Sequence, residues 1–340
     1  MRTTMKDIAK ECDVSVATVS LALAGKESRV SREKRELILE AAERLDYVPN
    51  RTAICLATNR SRLIGAIFPD LRNPHIASIF METEEYLQGY NYSLLCHVVS
   101  ENNIDQIHEV IREMVSAGVE GIVYFFPALS EQSETVLEET LLKSNVPVAS
   151  FVRPKSACPG LDVNFNYEQG GYLATKHLIE NGHQIIGCVA GPMKYNVTLE
   201  RLKGYRRALE ESGLTYCPRF VYESDYTMGG GKEALSYLLG QGVTAIFAFN
   251  DEMAFGLYQS ARLYSVKIPQ DVSIIGFDNV PFSEALEVPL SSINVPVREM
   301  SQIVAKGLIE CIEKNGSKGR ERVSFEPVLI VRGSVRKVIS

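Results

Sequence analysis

From residue 62 onward the chain alternates short, nearly continuous apolar runs with helical stretches, and this alternation restricts the fold more than any other feature. The runs are LIGAIF (63–68), YSLLCHVV (92–99), GIVYFF (121–126), VPVASF (146–151), IIGCVAG (185–191), TAIFAF (244–249) and VSIIGF (272–277). Strands that are apolar on both faces are covered on both faces, which is the signature of parallel sheets flanked by helices. The number of such units predicts an α/β body of two doubly wound lobes. A ligand of such a body sits beyond the carboxyl ends of the strands.

The residues that follow those ends form a polar set. Asp70 and Asn73 follow the first run, Arg153 the fourth, Asn250 follows TAIFAF and Asp278 follows VSIIGF. Arg201 lies in the stretch after IIGCVAG, and Tyr226 offers a ring that could stack on a sugar face. Carboxylate, amide and guanidinium groups suit a polyhydroxylated ligand, because each hydroxyl can donate and accept. Any one of these residues could equally be an ordinary surface loop residue. Their recurrence at consecutive strand ends is what suggests a site.

The first sixty residues follow a different rule. Thr4 followed by Asp7 reads as a helix N-cap with an acidic third position, and Met5, Ile8, Ala9 and Cys12 share one helical face. After a short break, Ser15 caps a second helix with Thr18 inside it and with Val19 and Leu23 facing inward; Ala24, Gly25 and Lys26 close it. Ser31 caps a third helix, whose apolar residues are Leu37, Ile38, Ala41, Ala42 and Leu45. Two short helices joined by a tight turn and braced by a third make a helix-turn-helix head. The spacing alone also fits a plain three-helix cap.

Charge and composition agree with a two-part chain. Residues 1–60 hold 11 Lys and Arg against 9 Asp and Glu, whereas the remainder holds 25 against 33. A slightly basic head on an acidic body fits nucleic-acid contact at one end only. The N-terminus carries no apolar signal segment and no run is long enough to span a membrane. The seven cysteines are scattered, which fits free thiols in a reducing cytoplasm. No metal-ligand spacing, cofactor loop or catalytic arrangement emerges. The Gly229–Lys232 stretch lacks the spacing of a phosphate loop and reads as a helix start.

The segment MKDIAKECDVSVATVSLALAG, followed by VSREKRELILEAAERLDYVPN, resembles the DNA-binding head of the lactose-repressor (LacI/GalR) family nearly end to end. The strings VSVATVS and YVPN carry the resemblance. GYLATKHLIENGHQIIGCVAGP, RLKGYRRALEESGL, AFNDEMAFGLYQSA, VKIPQDVSIIGFDN and PVLIVRGSV extend it over essentially the whole chain. It implies a helix-turn-helix head over 1–47, a hinge helix over 48–60, and a body of periplasmic-binding-protein type. The lobes would comprise 61–162 plus 292–322, and 163–291 plus 323–340. The second helix would enter the major groove with Val16, Ala17, Ser20 and Leu21 outward. The DNA-facing set is then Thr4, Ser15, Val16, Ala17, Thr18, Ser20 and Leu21, joined by hinge residues Asn50, Ala53 and the wedge Leu56. The resemblance places the effector-binding arginine on Arg201, the stacking aromatic on Tyr226, and the paired amide and carboxylate on Asn250 and Asp278.

The resemblance therefore implies a homodimeric, cytoplasmic transcription regulator, usually a repressor, with no enzymatic activity. Its partners would be near-palindromic operator DNA and a small effector, expected to be a sugar, with no membrane and no cofactor. A ligand carrier or a doubly wound enzyme with no DNA role is the alternative. Several residues depart from the family pattern. Leu21 stands where many relatives carry Arg or His, and Ile54 where most have Arg. Asp13 and Asp46 stand at turn positions that usually hold Gly and often need a positive φ. Asn166-Tyr167 replaces Asp-Asn ahead of a helix, which puts that helix cap and one ligand contact in doubt.

Overall fold

The computed structural model describes residues 3–23, 30–48, 55, 60–99, 103–126, 131–151, 160–314 and 321–338. The chain divides into two compact units, Met1–Ser61 and Arg62–Ser340.

The first unit contains α1 (Met5–Glu11), α2 (Val16–Leu23) and α3 (Arg32–Arg44). At the first N-cap, the Asp7 carboxylate accepts from the Thr4 amide at 2.8 Å and from the Thr4 hydroxyl at 2.7 Å. These bonds, the side-chain one foremost, hold the Asp7 carboxyl below its ordinary range. Ser15 Oγ accepts from the Thr18 amide at 3.1 Å and so caps α2. Ile8, Ala9, Val19, Ala22, Ile38, Ala41 and Ala42 form a small core of their own. Val19 and Ala22 are the fully buried residues of α2, and Leu23, half-buried, packs against the same core. Leu37 is exposed on α3, about 100° around the helix from the buried Ile38. Asp13 and Asp46 both take φ near 50°, the left-handed turn conformation that short polar side chains tolerate. Residues 24–26 lie outside the described residues.

The second unit holds two six-stranded sheets. The first runs β11 (Glu321–Phe325), β5 (Gly160–Phe165), β4 (Val148–Phe151), β3 (Gly121–Phe125), β1 (Leu63–Phe68), β2 (Ser93–Val98). All its pairings are parallel. Around it lie α4 (Pro74–Gly89), α5 (Ile104–Ser116), α6 (Glu131–Ser144) and the late α12 (Val297–Glu313). The second sheet runs β12 (Val328–Ile330), β10 (Ser291–Asn294), β9 (Ser273–Asp278), β8 (Ala245–Ala248), β6 (Ile186–Ala190), β7 (Val221–Glu223). It is parallel except for β12, which pairs antiparallel with β10. Its helices are α7 (Tyr167–Glu180), α8 (Asn196–Glu211), α9 (Met228–Gly240), α10 (Asp251–Leu263) and the short α11 (Phe282–Ala285).

The chain passes between sheets three times, as the sequence suggests, but a few residues later than read there. β5 completes the first sheet through Phe165, β10 completes the second through Asn294, and β11 stays in the first through Phe325. The crossings therefore fall at 165–167, 294–297 and 325–328. The reason is that β5, β10 and β11 carry polar residues that hide their strand character. Asp162 of β5, for instance, is buried and accepts a 2.5 Å hydrogen bond from the Ser150 hydroxyl. At the first crossing Asn166 supplies the cap that the sequence left in doubt, with Oδ1 accepting from the Gln169 amide at 3.0 Å.

Candidate functional site

The second unit carries a cavity of about 1090 Å³ between its two sheets. It opens at the carboxyl ends of β1, β3, β8 and β9, where the loops Pro69–Asn73 and Asp225–Gly229 meet Phe125, Asn250 and Asp278. Asp70, Asn73, Arg201, Tyr226, Asn250 and Asp278 all line it, whereas Arg153 lies outside the described residues.

The six lining residues spend their polar groups differently. The Asp70 carboxylate is gripped bidentately by Arg72, whose Nε donates at 3.0 Å and NH2 at 2.9 Å, and this holds the carboxyl below its ordinary range. Asn73 caps α4, with Oδ1 accepting from the His75 amide at 2.9 Å. Asn250 caps α10 by accepting from the Met253 amide at 2.9 Å, while its Nδ2 donates to the Tyr226 carbonyl at 3.0 Å. That second bond helps hold Tyr226 at φ 67°. The Tyr226 ring lies parallel to Tyr195 at 6.1 Å, and its hydroxyl shares a 2.7 Å hydrogen bond with Thr198. Gly191 makes room for it: a Cβ there would stand 2.0 Å from the ring.

Arg201 and Asp278 stay partly open. Arg201, 5% exposed, projects from α8, donates to the Phe249 carbonyl and lies 3.5 Å from the Asp278 carboxylate. Its guanidinium is boxed by Phe277 at 4.0 Å, Tyr167 at 4.9 Å and Tyr226 at 5.7 Å. Asp278 ends β9 at φ 102°, and burial pushes its carboxyl up to about 7 although Arg201 pulls the other way. Arg201 Nε and Asp278 Oδ1 find no hydrogen-bond partner among the described residues.

A third such atom belongs to a residue the sequence reading missed. His75, in the first turn of α4, is 7% exposed and its Nδ1 is likewise unpartnered among the described residues. Burial foremost, and then the Arg201 charge, hold its imidazole down to about 3, so it is neutral at working pH. Nothing in the local sequence marks it, since it occupies a helix turn and not a strand end. Tyr167, which the sequence marks as a departure at a cap and at one ligand contact, lines the cavity and stacks its ring on Phe277 beneath Arg201. Behind the site, Asp251 is buried and accepts from the Val280 amide at 2.9 Å, from Ser283 Oγ at 2.5 Å and from Ser292 Oγ at 2.7 Å. It fixes the turn that presents Asp278.

In the first unit, Val16, Ala17 and Ser20 are exposed on α2 and Leu21 is half-buried beside them. Thr4, Ser15 and Thr18 occupy the capping ends of α1 and α2. Asn50, Ala53, Ile54 and Leu56 lie outside the described residues. Among the described residues no helix is long and apolar enough to cross a membrane, and no group of His, Cys, Asp or Glu gathers as a metal site.

Comparison with known proteins accounts for both units. Residues 4–50 match the model of bacterial regulatory proteins of the lacI family, and residues 175–335 match that of a periplasmic binding protein-like domain. The HTH-type transcriptional repressor PurR of Aliivibrio salmonicida is 33% identical over 98% of this chain and 99% of its own length. Catabolite control protein A of Priestia megaterium is 33% identical over 92% of this chain and 94% of its own. Among solved structures, the Lac repressor dimer bound to operator and the anti-inducer ONPF superposes with a TM-score of 0.84 at 25% identity, covering 99% of this chain and all of that one. The complex of the transcriptional regulator CelR with cellobiose gives 0.71 at 27% identity, covering 98% and 100%. The chain thus belongs to the LacI family of bacterial regulatory proteins, and is a DNA-binding transcription regulator with a ligand-binding body.

Proposed function

We propose that the chain is a homodimeric, cytoplasmic repressor, without catalytic activity, whose operator affinity is set by a small uncharged polyol, most simply a sugar, bound in the cavity between the lobes. One observation carries the ligand part. Three buried polar atoms, His75 Nδ1, Arg201 Nε and Asp278 Oδ1, belong to residues that line the same cavity and find no hydrogen-bond partner among the described residues, Asp278 Oδ1 having only the 3.5 Å ion contact with Arg201. Leaving such atoms unpaired costs about 1–3 kcal/mol each, so the cavity is built to receive hydrogen bonds. A hydroxyl can donate to Asp278 while a neighbouring hydroxyl accepts from Arg201. His75 stands on the opposite lobe, so a ligand bonded to all three ties the lobes together.

The acidic excess lining the cavity disfavours an anionic ligand such as a sugar phosphate. Asp70, Asp225, Glu252 and Asp278 face Arg72 and Arg201, with His75 uncharged. Tyr226 and Tyr195 supply a flat apolar wall of the kind that a sugar ring stacks on. Solved relatives from Enterococcus carry bound ribose, and CelR carries cellobiose.

In this reading the head and hinge bind DNA as a pair on a near-palindromic site, with Asn50, Ala53 and Leu56 at its centre. The test is a thermal-shift screen of sugars, sugar phosphates and nucleobases, followed by operator binding with each hit. Hits confined to neutral sugars that alter operator affinity support the proposal. Hits confined to phosphorylated compounds or nucleobases overturn the ligand class. A ligand carrier or an enzyme would select no operator.

A further inference from the structure

The outward face of α2 is hydrocarbon. Val16 is 41% exposed, Ala17 is exposed at the next position, and Leu21 lies one turn beyond Ala17. Ser20 is the one exposed hydroxyl among them. The helix, VATVSLAL, contains no charged or amide side chain. The two hydroxyls near its start are already engaged with one another, Ser15 and Thr18 sharing a 2.8 Å hydrogen bond. Val19 and Ala22 are turned into the core.

A recognition helix reads bases through whatever its outward face offers. Guanine is selected by the forked donors of Arg or by Lys, and adenine by the amide of Asn or Gln; α2 has none of these. The one base-edge group in the major groove that asks for no hydrogen bond is the C5 methyl of thymine. The same methyl, at the same place on the groove floor, is carried by 5-methylcytosine. We infer that α2 reads the pyrimidine C5 methyl group itself through Val16, Ala17 and Leu21, so that 5-methylcytosine partly substitutes for thymine in this protein's operator. The inference rests on the DNA-binding assignment and deepens it.

The full-length protein is used to select sites from random duplex DNA, and the winning half-site is then edited one position at a time. Deoxyuridine in place of thymidine removes only the methyl. The expected effect is about a fourfold loss of affinity at each methyl-read position, the worth of burying one CH₂-sized group. Made in both half-sites of a palindrome, the change costs about fifteenfold. A C·G pair at the same position weakens binding more, and 5-methylcytosine in that pair recovers at least twofold. Leu21→Ala or Val16→Ala erases the deoxyuridine penalty at the position that side chain covers, so that the variant binds the thymidine and deoxyuridine sites alike. Selected half-sites whose thymines all tolerate deoxyuridine overturn the inference. So does a deoxyuridine penalty with no recovery on 5-methylcytosine. A protein that selects no DNA at all overturns the regulator assignment, which is a separate failure.

Discussion

Arg201 and Asp278 face each other at 3.5 Å in a setting where each side chain is only 6% exposed, yet each keeps one polar atom without a hydrogen-bond partner among the described residues. A pair meant only to hold the lobe together would use all its atoms on the protein. A site open only to ligand would not also tie Arg201 to the Phe249 carbonyl and box it with three aromatic rings. The pair does both, so structural and ligand-facing roles are not exclusive here.

Arg201→Ala is therefore expected to act twice. Stranding one partner of a buried pair costs about 3–5 kcal/mol, so the melting temperature of the body falls. Effector binding is lost as well, because a charged donor worth roughly 1.5–3 kcal/mol is gone. Operator binding without effector, measured below the new melting temperature, stays near wild type. A variant with unchanged effector affinity would remove Arg201 from the site.

The Asp278 carboxyl gives the body a distinctive pH dependence. Its pKa rises on folding from 3.8 to about 7, with burial as the cause. The stability it contributes is fully present below its unfolded value and is lost as pH climbs through about 7. Asp278→Asn cannot titrate. Urea-unfolding stability of the variant should thus gain on wild type steadily between pH 4 and pH 7.5. A flat difference over that window would mean that the carboxyl is ionised throughout.

Helix packing positions the arginine. A Cβ on Gly171 of α7 would stand 2.3 Å from the Arg201 carbonyl oxygen of α8, and one on Gly204 would stand 1.9 Å from the Glu168 carbonyl. Gly171→Ala must push α8 away, and overpacking of this kind typically costs about 1–3 kcal/mol. Since the displaced backbone is that of Arg201 itself, effector affinity should fall together with melting temperature. A Gly171→Ala protein that melts lower but binds effector normally would show that the site tolerates movement of α8.

The head has a separate core, so it should fail separately. Ile38 is fully buried between α1, α2 and α3. Ile38→Ala removes about 2–5 kcal/mol, enough to unfold so small a unit. Calorimetry should show the main transition of the body unchanged while operator binding disappears. Loss of both together would mean that the two units unfold as one.

Much of this was legible in the sequence, for physical reasons that also explain the gaps. All seven apolar runs became strands, because a strand buried on both faces has little choice of composition. The strands that were missed, β5, β7, β10, β11 and β12, are three-residue pieces or segments such as SSIN and ERVSF. In β10 the polar residues are buried and satisfied by distant partners: Ser291 Oγ accepts from the Arg332 amide at 2.9 Å and Ser292 Oγ donates to Asp251 at 2.7 Å. Such pairings are invisible before folding, and the lobe boundaries shifted with them. At the cavity, a short polar residue at a strand end can serve equally as a helix cap or as a ligand contact. Asn73 and Asn250 cap helices with their carbonyl oxygens, and Asp70 is held by Arg72. His75 escaped notice because it lies within the first helical turn.

The central claim is that occupancy of this cavity controls affinity for DNA. Its most direct test is fluorescence anisotropy of the selected operator with full-length protein, titrated with and without a saturating sugar from the thermal-shift screen, for wild type and for Asp278→Asn. The account predicts a 5–150-fold change in operator Kd for wild type, the range of a coupling of about 1–3 kcal/mol. It predicts no change for Asp278→Asn, whose affinity without sugar matches wild type. An operator Kd that stays the same while the wild-type cavity is demonstrably filled would contradict it.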